Sequence, residues 1–270
     1  MQPGPDSACR NMLDPTPEHP ARLARQAIRE GRHTGSSRGL ALGYVQCNLV
    51  ILPRAHAFEF LLYCQRNPKA CPVLEVTDPG SPEPRRIAPG ADLRTDLARY
   101  TVWRNGERQP DRTDILDLWR DDLVAFLIGS GITFDQALER AGVPTDRDRW
   151  VLNTTLPTEP AGPFAGPLVV TMRWLTPEQA IIATQVSARF PFNHGAPIHI
   201  GDPAVIGADL ARPLFGPPVE RVPDNRVAVF WACGVTPQAA AEHARLDLLL
   251  AHAPAHSFVS DLLADRMCQP

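Results

Sequence analysis

The spacing of hydrophobic positions changes several times along the chain. Residues 44–52 form a mainly apolar run of strand length, ended by Pro53, and residues 73–76 form a second short apolar run. Between them, residues 55–65 carry Phe58, Leu61 and Leu62 at helical spacing. This strand–helix–strand order predicts a parallel sheet with crossover connections in the first third of the chain.

The middle third mixes both spacings. We predict a strand at residues 100–103 that enters a tight turn at Asn105-Gly106, and strands at residues 151–156 and 168–174. Apolar side chains at positions 115, 119, 123, 126 and 127 predict a helix over residues 113–128, with a second helix at about residues 134–140. Residues 81–90 are rich in Pro, Arg and Gly and separate this region from the first third.

The final third returns to strand–helix alternation. Thr176-Pro177 has the form of an N-cap and first helical residue, and strands are predicted at residues 198–200, 227–231 and 248–251. We therefore predict an α/β fold whose mixed or mostly parallel sheet is flanked by helices. The expected organisation is a flexible tail at residues 1–20, a core in two parts, 21–85 and 176–270, and a smaller α+β subdomain inserted at residues 86–175.

Composition narrows the class of protein. With 270 residues, 44% of them hydrophobic, the chain can bury a sizeable core, and its net charge of −3 disfavours a nucleic-acid scaffold. No apolar run approaches the roughly 18–20 residues of a membrane-spanning helix, and residues 1–20 lack the apolar segment of a secretory signal. We expect a cytoplasmic protein without nucleic-acid or membrane partners, and self-association into a homo-oligomer stays open.

Metal and cofactor motifs are weak. None of the six cysteines forms a C-x-x-C pair, and Pro254 interrupts the helical spacing of His252 and His256. Lys69 is the only lysine, so arginine supplies nearly all of the positive charge. We expect no cofactor, although a divalent metal held by His and Asp is compatible with the chemistry below.

Two short segments, residues 194–203 and 229–238, concentrate the candidate chemistry. Each passes from a strand-like stretch through Gly to a helix start, at Asp202-Pro203 and Thr236-Pro237, and helix N-termini favour anionic ligands. His194 and His199 are candidates for acid–base catalysis, with Asp202 orienting one of them. The alternative is a histidine that is partly buried and hydrogen-bonded to the backbone.

A thiol and two arginines complete the candidates. Cys233 lies at a strand-to-helix turn, where a thiol can become a nucleophile, or can simply be a small packed residue. Arg94 and Arg120 lie in clusters of mixed charge. Such an arginine either clamps a substrate carboxylate or forms solvated surface ion pairs.

Longer motifs carry a family resemblance. Residues 43–53, 64–69, 90–96 and 118–129, followed by 194–203, 230–238 and 252–254, resemble the D-glutamate cyclase family, many of whose members are labelled hydro-lyases. The resemblance extends over about residues 21–261. Ala255 departs from the glycine expected after His-Ala-Pro, and Cys47 replaces a more usual alanine.

The resemblance implies an α/β fold with a smaller α+β part, and cyclodehydration of D-glutamate to 5-oxo-D-proline. From that chemistry we hypothesise that Arg94 or Arg120 binds the α-carboxylate, and that Asn48 and the amides after Gly234, near Thr236, donate to the oxyanion. The expected partner is a dicarboxylate or amino-acid substrate. A hydratase or dehydratase of another small carboxylate, and a non-catalytic protein that binds a small acid, are the alternatives.

Overall fold

Two antiparallel sheets organise the computed structural model, which describes residues 12–14, 16, 18–145 and 149–268. The predicted tail at residues 1–20 falls mostly outside this range. The strands of the larger sheet are β1 (Tyr44–Pro53), β2 (Val73–Val76), β3 (Tyr100–Arg104), β4 (Glu107–Arg112), β5 (Leu123–Gly129), β10 (Leu249–His252) and β11 (Phe258–Leu263). Their order is β2-β5-β1-β10-β3-β4, and β11 pairs with the first half of β1.

The smaller sheet has the order β6-β7-β9-β8. Its strands are β6 (Trp150–Pro157), β7 (Pro167–Leu175), β8 (His199–Ile200) and β9 (Val227–Ala232). The described helices are α1 (Pro20–Arg29), α2 (Arg54–Arg66), α3 (Asp135–Arg140), α4 (Pro177–Ala188), α5 (Val235–His243) and α6 (Ala264–Met267). No helix among the described residues has both the length and the apolar character needed to cross a membrane.

Strand β1 lies at the centre of the larger sheet because its sequence is suited to burial on both faces. All ten of its residues are buried. One face packs into a core shared with Trp231 of β9 and the α4 residues Ala180 and Ala183. The other packs against α2 and α5. The predicted α/β class is therefore confirmed, as are β1 and α2.

The predicted parallel sheet is wrong, since every strand pairing in the larger sheet is antiparallel. The physical reason lies in β5. Strands β1 and β2 both pair antiparallel with β5, so they run parallel to each other but are not neighbours. The α2 crossover gives the expected strand direction, and a strand from later in the chain occupies the position between them.

The predicted helix over residues 113–128 is also wrong. Leu116–Leu118 forms a single 3-10 turn, and Leu123–Gly129 forms β5. The side chains at positions 115, 119 and 123 match helical spacing by coincidence. All seven β5 residues are buried, as a continuous apolar run between two strands requires.

The predicted inserted subdomain, residues 86–175, contributes strands to both sheets. Its strands β3, β4 and β5 belong to the larger sheet, whereas β6 and β7 belong to the smaller. The domain boundaries therefore stay a prediction. What the topology establishes is that the two sheets share a core, with one face of β1 packed towards Trp231 of β9.

Candidate functional site

A cavity of about 350 Å³ lies where the two sheets meet. Its walls include Asn48 of β1 and His252 of β10 from the larger sheet, and Arg173 of β7 and Trp231 of β9 from the smaller. The start of α5 and the segment around His194 complete the walls. The cavity is therefore lined by residues that are distant in sequence.

One end of the cavity holds a cluster of charge. Arg149 and Arg173 both bind the carboxylate of Asp135, the first residue of α3, at 2.7 and 2.5 Å. Burial alone would raise the pKa of Asp135, but the two guanidinium groups lower it overall. Burial, followed by repulsion from Arg149, lowers the pKa of Arg173 to about 10, so Arg173 is charged at neutral pH.

This cluster has more positive charge and more donors than its protein partners satisfy. Arg38 also lines the cavity, so three guanidinium groups face one carboxylate, a surplus of two positive charges. Arg173 is 5% exposed, yet its Nη1 has no hydrogen-bond partner among the described residues, and neither does Nε of Arg149. Buried donors without partners are costly, so this end of the cavity suits an anionic ligand.

His194 also lines the cavity. Its backbone has φ of +76°, a left-handed conformation that is rare outside glycine, and its side chain is buried. Nδ1 lies 3.0 Å from the carbonyl oxygen of Lys69. Burial lowers the pKa of His194 to about 4, so the ring is neutral at pH 7.

His252, at the end of β10, is a second buried histidine in the cavity. Its Nδ1 receives the backbone N–H of Leu49 at 3.1 Å and the Nε2 amide of Gln238 at 2.6 Å. Burial lowers its pKa to about 4 as well. Sequence reasoning considered His252 only as half of a metal pair and so missed it, although the His-Ala-Pro motif marked the position.

Asn48 and Gly234 both line the cavity and lie in contact with each other. Asn48 donates to the carbonyl of Gly129 at 3.0 Å, and its amide packs so closely on Gly234 that a Cβ there would lie 1.9 Å from Nδ2. Cys233 lines the cavity beside them. Burial raises the pKa of its thiol, against smaller effects from Thr171, Val235 and Arg149, so the neutral thiol predominates at pH 7.

The other candidates from the second half of the chain lie away from this cavity. Nε2 of His199 contacts the backbone oxygen of Asp202 at 2.8 Å, and the Asp202 side chain caps a short 3-10 turn at the Ala204 N–H. The hydroxyl of Thr236 both accepts from and donates to the backbone of Val169, which fastens α5 to β7. The structure therefore brings together His194, Cys233, Asn48 and Gly234, and leaves His199, Asp202 and Thr236 outside the cavity walls.

The two arginines proposed from sequence also lie elsewhere. Arg94 pairs with Asp92, and Arg120 with Asp122 and Asp247, in partly exposed ion pairs. The cavity instead contains Arg149 and Arg173, which sequence reasoning missed. Arg173 carried a usable signal, because it is a lone charge in the apolar strand β7.

Metal ligands do not cluster in the described part of the chain. No group of three His, Cys, Asp or Glu side chains there has an arrangement suited to holding a metal ion.

Comparisons with known proteins bear on the family. The D-glutamate cyclase family model matches residues 124–261, a span that contains every residue lining the cavity except Arg38 and Asn48. A Geobacillus kaustophilus protein named "Putative hydro-lyase" is 51% identical over 250 residues, covering 90% of this chain and 95% of that protein. A Rubrobacter xylanophilus protein with the same name is 53% identical over 244 residues, covering 88% and 94%.

Among solved structures, a nitrogen repressor-like protein from Methanococcus jannaschii aligns over 86% of this chain and 91% of its own, with a TM-score of 0.37 and 11% identity. That likeness is too low to bear on the fold. The matched family and the names of the relatives support a hydro-lyase. The resemblance found in the sequence motifs is thereby confirmed, and the chain belongs to the D-glutamate cyclase family.

Proposed function

We propose that the protein cyclises D-glutamate to 5-oxo-D-proline and water in the cavity between the two sheets. One observation carries the proposal. A surplus of two positive charges beside Asp135, with guanidinium N–H groups that have no partner among the described residues, shares a cavity with two neutral histidines. An anionic amino acid that must undergo proton transfer fits this combination.

The reaction sets the demands on the site. The α-amino nitrogen attacks the carbon of the γ-carboxyl group, an N–C bond forms, a C–O bond breaks and water leaves. Two protons in total move from nitrogen to the departing oxygen. The site must therefore hold the α-carboxylate, bring the nitrogen to the γ-carbon and stabilise the tetrahedral oxyanion.

The arginine cluster is suited to the first demand. Arg173 and Arg149 are fixed by Asp135, and each has one N–H donor without a partner among the described residues, which favours binding of the α-carboxylate beside them. We assign carboxylate binding to these two side chains in place of Arg94 and Arg120, whose donors already serve surface aspartates. Asn48 and the first turn of α5 stay our candidates for contacts to the reacting carboxyl group.

Membership of the family supports cyclisation, and D-glutamate as the substrate is our proposal. The test is to incubate the purified protein with D-glutamate, L-glutamate or 5-oxoproline, with and without EDTA, and to follow the products by chiral chromatography. We expect 5-oxo-D-proline from D-glutamate, and D-glutamate from 5-oxo-D-proline if the reaction is followed in reverse.

Two other outcomes would contradict the proposal, and a third would add a metal to it. Turnover of another small carboxylate but not of glutamate would show a hydratase or dehydratase with the same anion site. Saturable binding of D-glutamate without turnover would show a binding protein. Loss of activity in EDTA that Mg²⁺ or Mn²⁺ restores would show that cyclisation requires a metal.

A further inference from the structure

We infer that His194 and His252 divide the chemistry between them, with His194 as the proton acceptor and His252 as a neutral hydrogen-bond donor to the oxyanion. The inference rests on the proposed cyclisation and adds the roles of its two rings. Both rings line one cavity, and both use Nδ1 for a contact with the protein. The contacts differ in kind, and that difference separates the roles.

The partner of His194 can only accept. A backbone carbonyl oxygen has no proton to give, so the 3.0 Å contact with the Lys69 oxygen requires the proton of His194 to reside on Nδ1. In a neutral ring, Nε2 then carries a lone pair. Nε2 has no partner among the described residues, so it is the nitrogen of His194 that is available as a base.

The partners of His252 donate. The backbone N–H of Leu49 points at Nδ1, and the Gln238 amide nitrogen reaches both Nδ1 and, at 3.2 Å, the carbonyl oxygen of His252. The second contact orients Gln238 with its NH₂ group towards the ring, since a glutamine oxygen would face a carbonyl oxygen. The Leu49 carbonyl is more distant from Nδ1, at 3.4 Å. Nδ1 therefore accepts, and the proton resides on Nε2.

Because both rings are neutral, the roles assigned to His194 and His252 cannot be exchanged. Both rings are buried and neutral at pH 7, so each carries one proton on one nitrogen. Nε2 of His194 is a base and cannot donate, whereas Nε2 of His252 donates. Neither ring can take over the part of the other without first losing its contact at Nδ1.

The protons balance because His194 gains and then loses one proton, whereas the protonation of His252 does not change. Starting from the free amine and the protonated γ-carboxyl group, nitrogen attacks carbon and His194 takes a proton from nitrogen. The imidazolium returns this proton to the hydroxyl, which leaves as water when the C–O bond breaks and the oxyanion reforms a carbonyl. His252 holds the oxyanion with its N–H and keeps its proton throughout, because a neutral imidazole is a very weak acid.

The first test reads the tautomers directly in the ligand-free protein. Long-range ¹H–¹⁵N correlation spectra at pH 7 distinguish protonated from unprotonated ring nitrogens, and the variants His194→Gln and His252→Gln assign the signals. We expect a protonated Nδ1 in His194 and a protonated Nε2 in His252. The same tautomer in both rings, or an imidazolium at either position, overturns the inference.

The second test uses side chains that can donate but cannot act as bases. The amide of glutamine can stand in for the N–H of His252, so we expect His252→Gln to keep kcat within about tenfold and His252→Phe to lose about 10²–10³-fold. No amide replaces a base, so His194→Gln and His194→Phe should both lose about 10²–10⁴-fold. Equal losses in the two His252 variants, or rescue of His194 by glutamine, would show that the roles are wrong.

Failure of the inference can be told apart from failure of the proposed function. If the wild-type protein forms no 5-oxoproline while the tautomers are opposite as expected, the proposed function is wrong and the arrangement of the rings stands. If 5-oxoproline forms but the tautomers or the glutamine variants disagree, cyclisation stands and the division of roles is wrong. Gln65→Leu, at an exposed glutamine of α2, serves as the control for both tests.

Discussion

At the scale of single residues, the cavity depends on side chains whose polar groups are only partly satisfied by the protein. Arg173 is held over the ring of Trp231, 5.6 Å from its centroid, and bound on one side by Asp135. Its Nη1 has no partner among the described residues. Because Arg173 also lines the cavity, a substrate carboxylate bound there under the proposed function would lie beside its positive charge.

Removing that guanidinium should weaken substrate binding. For Arg173→Met we expect KM for D-glutamate to rise by roughly 30- to 150-fold, because a charge-assisted hydrogen bond contributes about 2–3 kcal/mol. Steady-state kinetics with the matched variant Arg112→Met, at a partly exposed ion pair with Asp117, provides the comparison. A larger rise in KM for Arg94→Met or Arg120→Met would instead support the assignment made from sequence.

The substitution Gly234→Ala tests how tightly Gly234 and Asn48 are packed against each other. Its φ is −65°, an ordinary helical value, so an alanine would meet no backbone strain, only the Asn48 amide at 1.9 Å. We expect Gly234→Ala to lower the free energy of unfolding by about 1–3 kcal/mol through overpacking, measured by urea denaturation. Gly35→Ala, where the nearest atom is 4.0 Å away, is the control.

The cause can be isolated with a double variant. Asn48→Ala removes the amide that the new methyl group would strike, so Gly234→Ala should cost much less in that background. An equal cost in both backgrounds would show that the amide is not the reason for the glycine.

At the scale of elements, the structure contains the helix start that the capping motif in the sequence predicted. Helix α4 begins with a complete capping box: Thr176 accepts from the Gln179 N–H at 3.1 Å, and the Gln179 side chain accepts from the Thr176 N–H at 3.1 Å. The helix then packs Ala180 and Ala183 into the core shared with β1. The cap was predicted from Thr176-Pro177 because capping needs only neighbours along the chain.

Loss of that cap should destabilise the protein measurably. Thr176→Ala is expected to lower the free energy of unfolding by about 0.5–2 kcal/mol, since the Gln179 N–H loses its side-chain partner. Thr113→Ala, at an exposed threonine outside the helices, should change it by less than about 0.5 kcal/mol. Equal urea midpoints for wild type and Thr176→Ala would contradict the importance of the cap.

At the scale of the whole molecule, burying two neutral histidines links stability to pH. Both rings have folded-state pKa values of about 4, below the unfolded value of 6.5. Between these values the unfolded chain binds protons that the folded rings do not. The stabilisation is therefore complete above pH 6.5, and it is lost as the pH falls towards 4, by up to about 1.4 kcal/mol per pH unit for each ring.

This linkage can be measured ring by ring. We expect the free energy of unfolding of His194→Gln and His252→Gln to depend less steeply on pH between 6.5 and 4 than that of wild type, whatever each variant does to stability at pH 7. Lys69 beside His194 and His256 near His252 act in the same direction as burial on those rings. His243→Gln, at the exposed end of α5, is the matched control substitution, and an unchanged slope in both cavity variants would contradict the linkage.

Features that depend on neighbouring residues along the chain were predicted correctly from the sequence. The apolar run of β1, the cap of α4 and the tight turn at Asn105-Gly106 depend on contacts within a few positions, and all three formed as predicted. His194, Cys233, Asn48 and Gly234 likewise came from short motifs, and they line one cavity. Family membership also followed from motifs, because related chains keep their residue patterns.

Contacts between residues that are far apart in the sequence were determined only by the tertiary structure. Strand β5 separates β1 from β2 although it follows β2 by some 45 positions along the chain, and no local spacing specifies which strand takes the middle of a sheet. In the same way, Arg149 and Arg173 meet Asp135 only after the smaller sheet has formed, and His252 meets Leu49 only through the pairing of β10 with β1. Burial then sets the charges, since the desolvation that keeps both histidines neutral is a property of the assembled cavity and of no segment alone.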